Sequence, residues 1–294
     1  MRLVIKEFNS LNTELVREIE KLTETCGKFD GIQEEVNLDD GFNFNKSMKW
    51  LFVLYEKDKV VSVVSIFAPK EEEGEISACT LPEYRRKGYF KELLSKAKNE
   101  LLKYNVPKIL FVCPKGSKQG EAVIKNSDAI YKFAEYTMNF NKNKFKAKGK
   151  YITKLAEANY NDLNKITKVA SDVYSESYEQ ANSMMKNALE SSDRLQFKLK
   201  LKEDYIGVVA AYFYHDKVSI FGVGILPEYR GRGFGREMMS MLLEYLIERD
   251  YDDIALEVDS NNKRAFELYK SIGFQIEREI DYYEEKINNT FYSY

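Results

Sequence analysis

At 294 residues the chain exceeds the usual size of a single hydrophobic core, so two domains are expected. A hydrophobic share of 44% with 31% charged residues is that of a globular chain rather than a disordered one. With 45 basic against 47 acidic residues the formal charge is −2, which offers nucleic acid and anionic lipid no general attraction.

In chain order, RLVIKEF (2 to 8) reads as a short strand and LNTELVREIEKL as the helix after it. WLFVLYEKDKVVSVVSIFAP alternates branched and aromatic residues about the polar turn Glu56 to Lys59, the pattern of a β-hairpin. LPEYRRKGYF (81 to 90) follows, and Phe90, Leu93, Leu94, Ala97, Leu101 and Tyr104 then recur at helical spacing. KILFVC suits a buried parallel strand, and a further helix and strand close the half. The lysine-rich NKNKFKAKGK (141 to 150) reads as a boundary between domains 1–145 and 146–294.

The second half opens alike, with KYITKLAEA as strand and YNDLNKITKVA as helix. Strands are expected at about 194 to 201, 204 to 214 and 217 to 225, joined by charged turns. LPEYRGRGFG (226 to 235) precedes a helix marked by Phe234, Met238, Met241, Leu242 and Tyr245, then the apolar strand DDIALEV, then a last helix and strand. Pro82 and Pro227 are separated by 145 residues (227 − 82), with the flanking elements at nearly the same offset. The repeat is therefore a duplicated domain, and the fold class is α/β, or α+β with a mixed sheet between helices.

The chemistry is narrowed by elimination. Cys26, Cys79 and Cys113 lack C-x-x-C spacing and His215 is the sole histidine, which argues against a disulfide framework, a zinc site or a histidine-rich metal centre. No G-x-S-x-G segment supports a serine nucleophile. No run of about 18 apolar residues occurs and MRLVIKEFNS lacks a cleavable apolar core, so a cytoplasmic protein is expected.

Within LPEYRGRGFG, the turn EYRGRG joins a strand to a helix N-terminus, where backbone N–H groups and the helix dipole favour an anion. Gly231, Gly233 and Gly235 permit positive φ and close approach of a pyrophosphate, and Arg230, Arg232 and Arg236 add charged donors or stand as solvated surface arginines. A Rossmann fingerprint fails at Arg236 and no Walker A run is present.

LPEYRGRGFG resembles the R-x-x-G-x-G acyl-CoA motif of GNAT superfamily N-acetyltransferases, and NNKRAFELYKSIGF (261 to 274) resembles that family's second motif. The resemblance covers residues 150 to 285 well and the first half more loosely, implying a tandem GNAT protein with acetyl-CoA as donor and a small-molecule or peptide amine as acceptor. It implies that backbone groups at Val223, Gly224 and Ile225 bind pantetheine, that Arg230 to Arg236, Phe234 included, hold the pyrophosphate, and that Asn262 hydrogen bonds beside the arm. Tyr269 would protonate the departing thiolate, the alternative being a core tyrosine. Glu257, expected partly buried near the end of its strand, is the carboxylate candidate for general base, the alternatives being a solvated strand residue or His215 as base.

The first copy keeps Arg85 and Gly88 but has Phe90 where the other ends in Gly235, and AIYKFAEY aligns Tyr131 with Tyr269. One working site, in the C-terminal half, is therefore expected; the rival reading is a non-catalytic acyl-CoA-binding or interaction protein. Tyr174, Glu176, Tyr178 and Glu179 either line the acceptor cleft or form an ordinary amphipathic surface.

Overall fold

Strand and helix alternate through the chain in the order its hydrophobic periods dictate. The computed structural model describes all residues except 1–2, 34–35, 39–40, 42, 147–148 and 288–294. Arg2 of the first expected strand and two residues of the lysine-rich segment thus lie outside the described residues.

The contacts group into two units, residues 1–134 with 279–294 and residues 135–278. The first contains β1 (Leu3–Phe8), α1 (Thr13–Asp30), β2 (Leu51–Glu56), β3 (Lys59–Lys70), β4 (Glu73–Thr80), α2 (Tyr89–Lys103), β5 (Lys108–Pro114) and α3 (Lys118–Lys125). The second contains β7 (Lys154–Glu157), α4 (Leu163–Tyr174), α5 (Tyr178–Glu190), β8 (Arg194–Leu201), β9 (Asp204–Tyr214), β10 (Lys217–Ile225), α6 (Phe234–Ile247), β11 (Asp253–Asp259) and α7 (Lys263–Ser271). The remaining strands, β6 (Ile130–Phe140) and β12 (Phe274–Lys286), each begin in one unit and end in the other.

Each unit has the same strand order. In the first, β1, β2, β3 and β4 are antiparallel neighbours, β4 lies parallel to β5, and β5 pairs antiparallel with β12 from Ile280 to Lys286. In the second, β7 to β10 repeat the meander, β10 lies parallel to β11, and β11 pairs antiparallel with β6 from Glu135 to Asn139. The last strand of each sheet thus comes from the other half of the chain. Sequence periodicity cannot report this exchange, because a strand carries its alternation whatever its neighbour.

The parallel crossovers need a helix, and α2 and α6 supply it. The stripe Met238, Met239, Leu242, Leu243 and Leu246 is fully buried and packs on Val209 and Ala211 of β9. Each such side chain contributes about 1.5–3 kcal/mol. The adjacent residue, Val208, points the other way into the cluster formed by Ile166, Val169 and Ala170 of α4 and Ala181 and Met185 of α5. Helix α5 has no counterpart among the described residues of the first unit and is not marked in the sequence reading; its start is a capping box between Ser177 and Gln180. In the first unit every residue from Leu51 to Tyr55 is buried, so β2 is covered on both faces.

Candidate anion-binding turn and acyl-transfer site

The two LPEYR phrases adopt one backbone. Pro82 and Pro227 each begin a single 3-10 turn, and Arg85 and Arg230 follow at φ −69 and −67. Gly88 and Gly233 then cap the next helix at φ 85 and 87. Gly231 takes φ 82, whereas its counterpart Arg86 holds φ 61 with a side chain attached, a strain of about 1–2 kcal/mol. The nest is therefore preserved in both units although one of its glycines is not.

From Gly231 to Arg236 the backbone N–H groups meet no protein acceptor among the described residues; the first helical bond after the cap is Glu237 N–H to Gly233 O at 3.1 Å. A Cβ at Gly233 would find nothing within 4 Å, so the space over these donors is open. Successive N–H groups at a helix start, with the dipole behind them, form an anion site fitted to phosphate. Arg232 lies over the Tyr229 and Phe234 rings, 5.7 and 5.1 Å from their centroids. The Arg264 guanidinium stands 3.8 Å from the Cβ position of Gly231. Arg264 was missed at the sequence level, since nothing in NNKRAFELYK marks it before α7 folds against the turn.

Two of the predicted phosphate ligands have other work. Arg230 donates Nε–H to Ile225 O at 2.8 Å and an Nη2 proton to Val173 O at 3.4 Å, tying the turn to the strand end and to α4. Arg236 donates to Ser271 Oγ on α7. Arg85 repeats the first role, with Nε–H to Thr80 O at 2.9 Å and a two-point pair to Asp30. Phe234 is a buried core residue, and at Gly235 a Cβ would lie 3.5 Å from the Leu268 side chain, in ordinary contact.

The parallel strands part beside this turn. The β10–β11 register ends at Ile220 and Leu256, while both strands run on. Between Phe221 and Gly224 the pairing of β10 with β9 shifts by a bulge, with Gly222 at φ 59. The bulge exists because α4 presses on it: a Cβ at Gly224 would lie 2.2 Å from Val173 Cγ1, and the Tyr174 hydroxyl donates to Gly222 O at 2.6 Å. Val223, Gly224 and Ile225 thus present main chain at the opening of the split, where an extended ligand can add to the edge.

Tyr269, on α7, is buried, and burial pushes its phenol up to about 12. Its hydroxyl has no hydrogen-bond partner among the described residues. The Tyr174 phenol is also raised, by burial first and then by repulsion from Tyr269 and Glu176. Asn262 is the N-cap of α7; its Oδ1 accepts from Ala265 N–H at 3.2 Å, and its amide nitrogen is the donor it can offer a ligand. Glu257 is exposed rather than partly buried, because Ile254, Leu256 and Val258 take the covered face of β11. His215 occupies the β9–β10 turn at φ 52, its ring meeting Tyr214 edge-on. Tyr178 is the first residue of α5, after its Ser177 cap, and is exposed.

The first unit splits in the same place but lines the split differently. Its β4–β5 register ends at Ile76 and Phe111, and a cleft of about 550 Å³ opens there, bordered by Cys79, Tyr84, Gly88, Phe90, Cys113 and Ile124. The bulge is absent: β4 continues in regular register with β3 to Thr80, with Ser77 and Cys79 where β10 has Gly222 and Gly224. The alignment of Tyr131 with Tyr269 is corrected here. The caps Ser117 and Asn262 mark equivalent helix starts, which puts Ile124 in the Tyr269 slot; Tyr131 is an exposed residue of β6. Counted likewise along the parallel strands, Val112 stands where β11 has Glu257.

Among the described residues no group of three or more His, Cys, Asp or Glu side chains is placed to hold a metal, and no helix is long and apolar enough to cross a membrane.

Each unit thus combines a mixed sheet with an open run of N–H groups at a helix start beside a split parallel pair. The Acetyltransferase (GNAT) family model matches residues 14–120 and again 159–274, and the chain belongs to that family. The [Ribosomal protein bS18]-alanine N-acetyltransferase of Haemophilus influenzae is 35% identical over 80 residues, 27% of this chain and 54% of that protein. The mycothiol acetyltransferase of Tsukamurella paurometabola is 38% identical over 65 residues, 22% of each chain. This chain therefore spans about half of the one relative and about a fifth of the other. A GCN5-related N-acetyltransferase from Sphaerobacter thermophilus shares the fold at TM-score 0.80 with 12% identity, over 97% of this chain and 96% of that one. A tandem GNAT protein from the clavulanic acid biosynthesis pathway does so at 0.72 with 11% identity, over 98% and 100%.

Proposed function

We propose that the protein is an acetyl-CoA-dependent N-acetyltransferase whose active site lies in the C-terminal half and whose acceptor is an amine on a small molecule or peptide. The observation that carries this reading is that Tyr269 interacts electrostatically with Tyr174, which fastens the β10 bulge, and that Glu257 follows the last β10–β11 pair, where the other unit has Ile124 and Val112. The residues fit the donor: N–H groups from Gly231 to Arg236, with Arg232 and Arg264, suit its phosphates, and main chain at Val223 to Ile225 suits its amide-bearing arm.

In this reading the neutral amine attacks the thioester carbonyl directly, the carbon–sulfur bond breaks, and the electron pair leaves on sulfur. Main-chain N–H groups of the bulge stabilise the intermediate oxyanion. Tyr269 donates its proton to the sulfur, and the attacking nitrogen loses one to Glu257 or, since that carboxylate is exposed, to water held by it. A phenol at about 12 stays protonated at neutral pH but stands about 3.5 units above a free thiol's reference value, rather than the 1.5 of an exposed tyrosine. The thiolate leaves into the same desolvated cleft, which raises its basicity too and narrows the gap.

The first unit's intact nest and cleft favour a second reading for that half: it holds a CoA-type ligand without turning it over. The rival for the whole chain is an acyl-CoA-binding protein with no chemistry. Thiol release from acetyl-CoA across an amine panel, set against acetyl-CoA binding alone, tests the proposal; binding with no turnover of any amine rejects it.

A further inference from the structure

On the α4 side of the second unit's sheet, where Val208 meets the helices, Arg194, Tyr212 and Ser219 stand in one cross-strand row, and Phe221 lies in the next row of β10. This part of the face is open: Ser219, Phe221 and Glu257 are all exposed. The Arg194 guanidinium lies with its carbon 5.6 Å from the ring centroids of both Tyr212 and Phe221, within cation–π range of each. It makes no ion pair or hydrogen bond among the described residues. The neighbouring carboxylate, Asp193, accepts the Ser191 hydroxyl and feels the Arg194 charge, which helps hold its carboxyl below the ordinary value, but it makes no hydrogen bond to the guanidinium among the described residues. A guanidinium held by ring faces keeps its N–H donors available, which is how an arginine is set to receive a carboxylate at two points.

Phe221 is also the first residue past the last β10–β11 pair, Ile220 with Leu256, and Glu257 is its counterpart on β11. One exposed ring at the mouth of the split is thus flanked by a cation with unspent donors and by a carboxylate. We propose that the acceptor is a free amino acid: its carboxylate binds Arg194, its carbon frame crosses Phe221, and its amine lies toward Glu257 and the split. This rests on the acetyl-transfer reading and adds the class of acceptor. Two-point recognition would make the acid preferred over the corresponding amide, because only the acid satisfies the guanidinium.

The test uses the full chain with acetyl-CoA and the common L-amino acids plus β-alanine, each paired with its own carboxamide. Thiol release gives kcat and KM, and calorimetry on CoA-loaded protein gives acceptor affinity directly. At least one acid is expected to exceed its amide by about 10- to 100-fold in kcat/KM and in affinity. Arg194→Gln should erase that ratio by raising KM for the acid, with kcat changed less than about twofold and the amide unaffected. Arg194→Lys and Phe221→Leu, melted alongside the parent to verify folding, should recover or lose the preference in part. Equal handling of acid and amide by the parent, an undiminished preference in Arg194→Gln, or no acid binding to the CoA-loaded protein overturns the inference. If acetyl-CoA binds and amides are acetylated as well as acids, only the acceptor class falls; if no amine of any kind is acetylated, the acetyl-transfer reading falls with it.

Discussion

The Tyr174 hydroxyl and the Gly222 carbonyl are joined by a 2.6 Å hydrogen bond, which fastens the last turn of α4 to the bulge in β10. Beside it, Val173 fills the space that a side chain at Gly224 would need. Gly224→Ala is expected to destabilise the protein by about 1–3 kcal/mol through overpacking. Combining it with Val173→Ala should recover part of that loss, so urea unfolding of the two single variants and the double variant should show non-additivity. Additive losses would mean the contact does not decide the glycine.

The nest should respond to a side chain in one unit more than in the other. Gly233→Val imposes a β-branched residue at φ 87 over the free N–H groups and should weaken acetyl-CoA binding by at least about tenfold by calorimetry. Gly88→Val, at φ 85, should remove only a second binding event and leave turnover unchanged. If Gly88→Val abolishes turnover and Gly233→Val does not, the active half has been misassigned.

Tyr269→Phe keeps the ring and deletes the proton. It should lower kcat by about 10²- to 10⁴-fold while acetyl-CoA affinity changes little. Because the phenol is raised to about 12, the parent rate should climb as the acceptor amine deprotonates and show no fall from tyrosine ionisation below about pH 11. A parent-like kcat in Tyr269→Phe, under conditions where chemistry limits turnover, would return the residue to the core and assign the proton to water.

Asp162 sets an acid limit on the second unit. Burial pushes its carboxyl up, but Lys198, the Tyr205 hydroxyl and Asn159 N–H together outweigh burial and hold it below its ordinary value. The unfolded chain therefore takes up the proton more readily than the folded one, so this contribution is full above about pH 4 and disappears as pH falls further. Asp162→Asn should cost about 3 kcal/mol at neutral pH and flatten the acid limb of the stability curve. An unchanged acid limb would show that other carboxylates set it.

Local periodicity made most of the fold legible. The three central strands of the second half lie at 194–201, 204–214 and 217–225 as their alternation predicts, and each LPEYR phrase leads into its helix. The turn was legible because glycines and arginines at fixed spacing carry its chemistry. What misled was matching like residues instead of keeping the 145-residue offset of the two prolines. Helix α3, KQGEAVIK, is short and weakly apolar, so the tyrosine of the following strand drew the alignment, whereas the constant offset and the cap at Ser117 both put Ile124 in the slot. Gly222 and Gly224 are visible in FGVGI, but their reason is Val173 and Tyr174, nearly fifty residues earlier in the chain. Glu257 was placed on the correct face; its exposure depends on what covers that face, which no strand encodes alone.

The reciprocal use of β6 and β12 has a consequence for inheritance and for engineering. A gene cut at the end of its first repeat would not release a self-sufficient product: a fragment ending at residue 145 would leave the β5 edge that β12 occupies without a mate, and the remaining fragment would leave β11 without β6. Open edges of that kind invite pairing with other copies. The two repeats are therefore bound to a common fate, with drift in either one, such as the loss of glycine at Arg86, tolerated only while its last strand still serves the other.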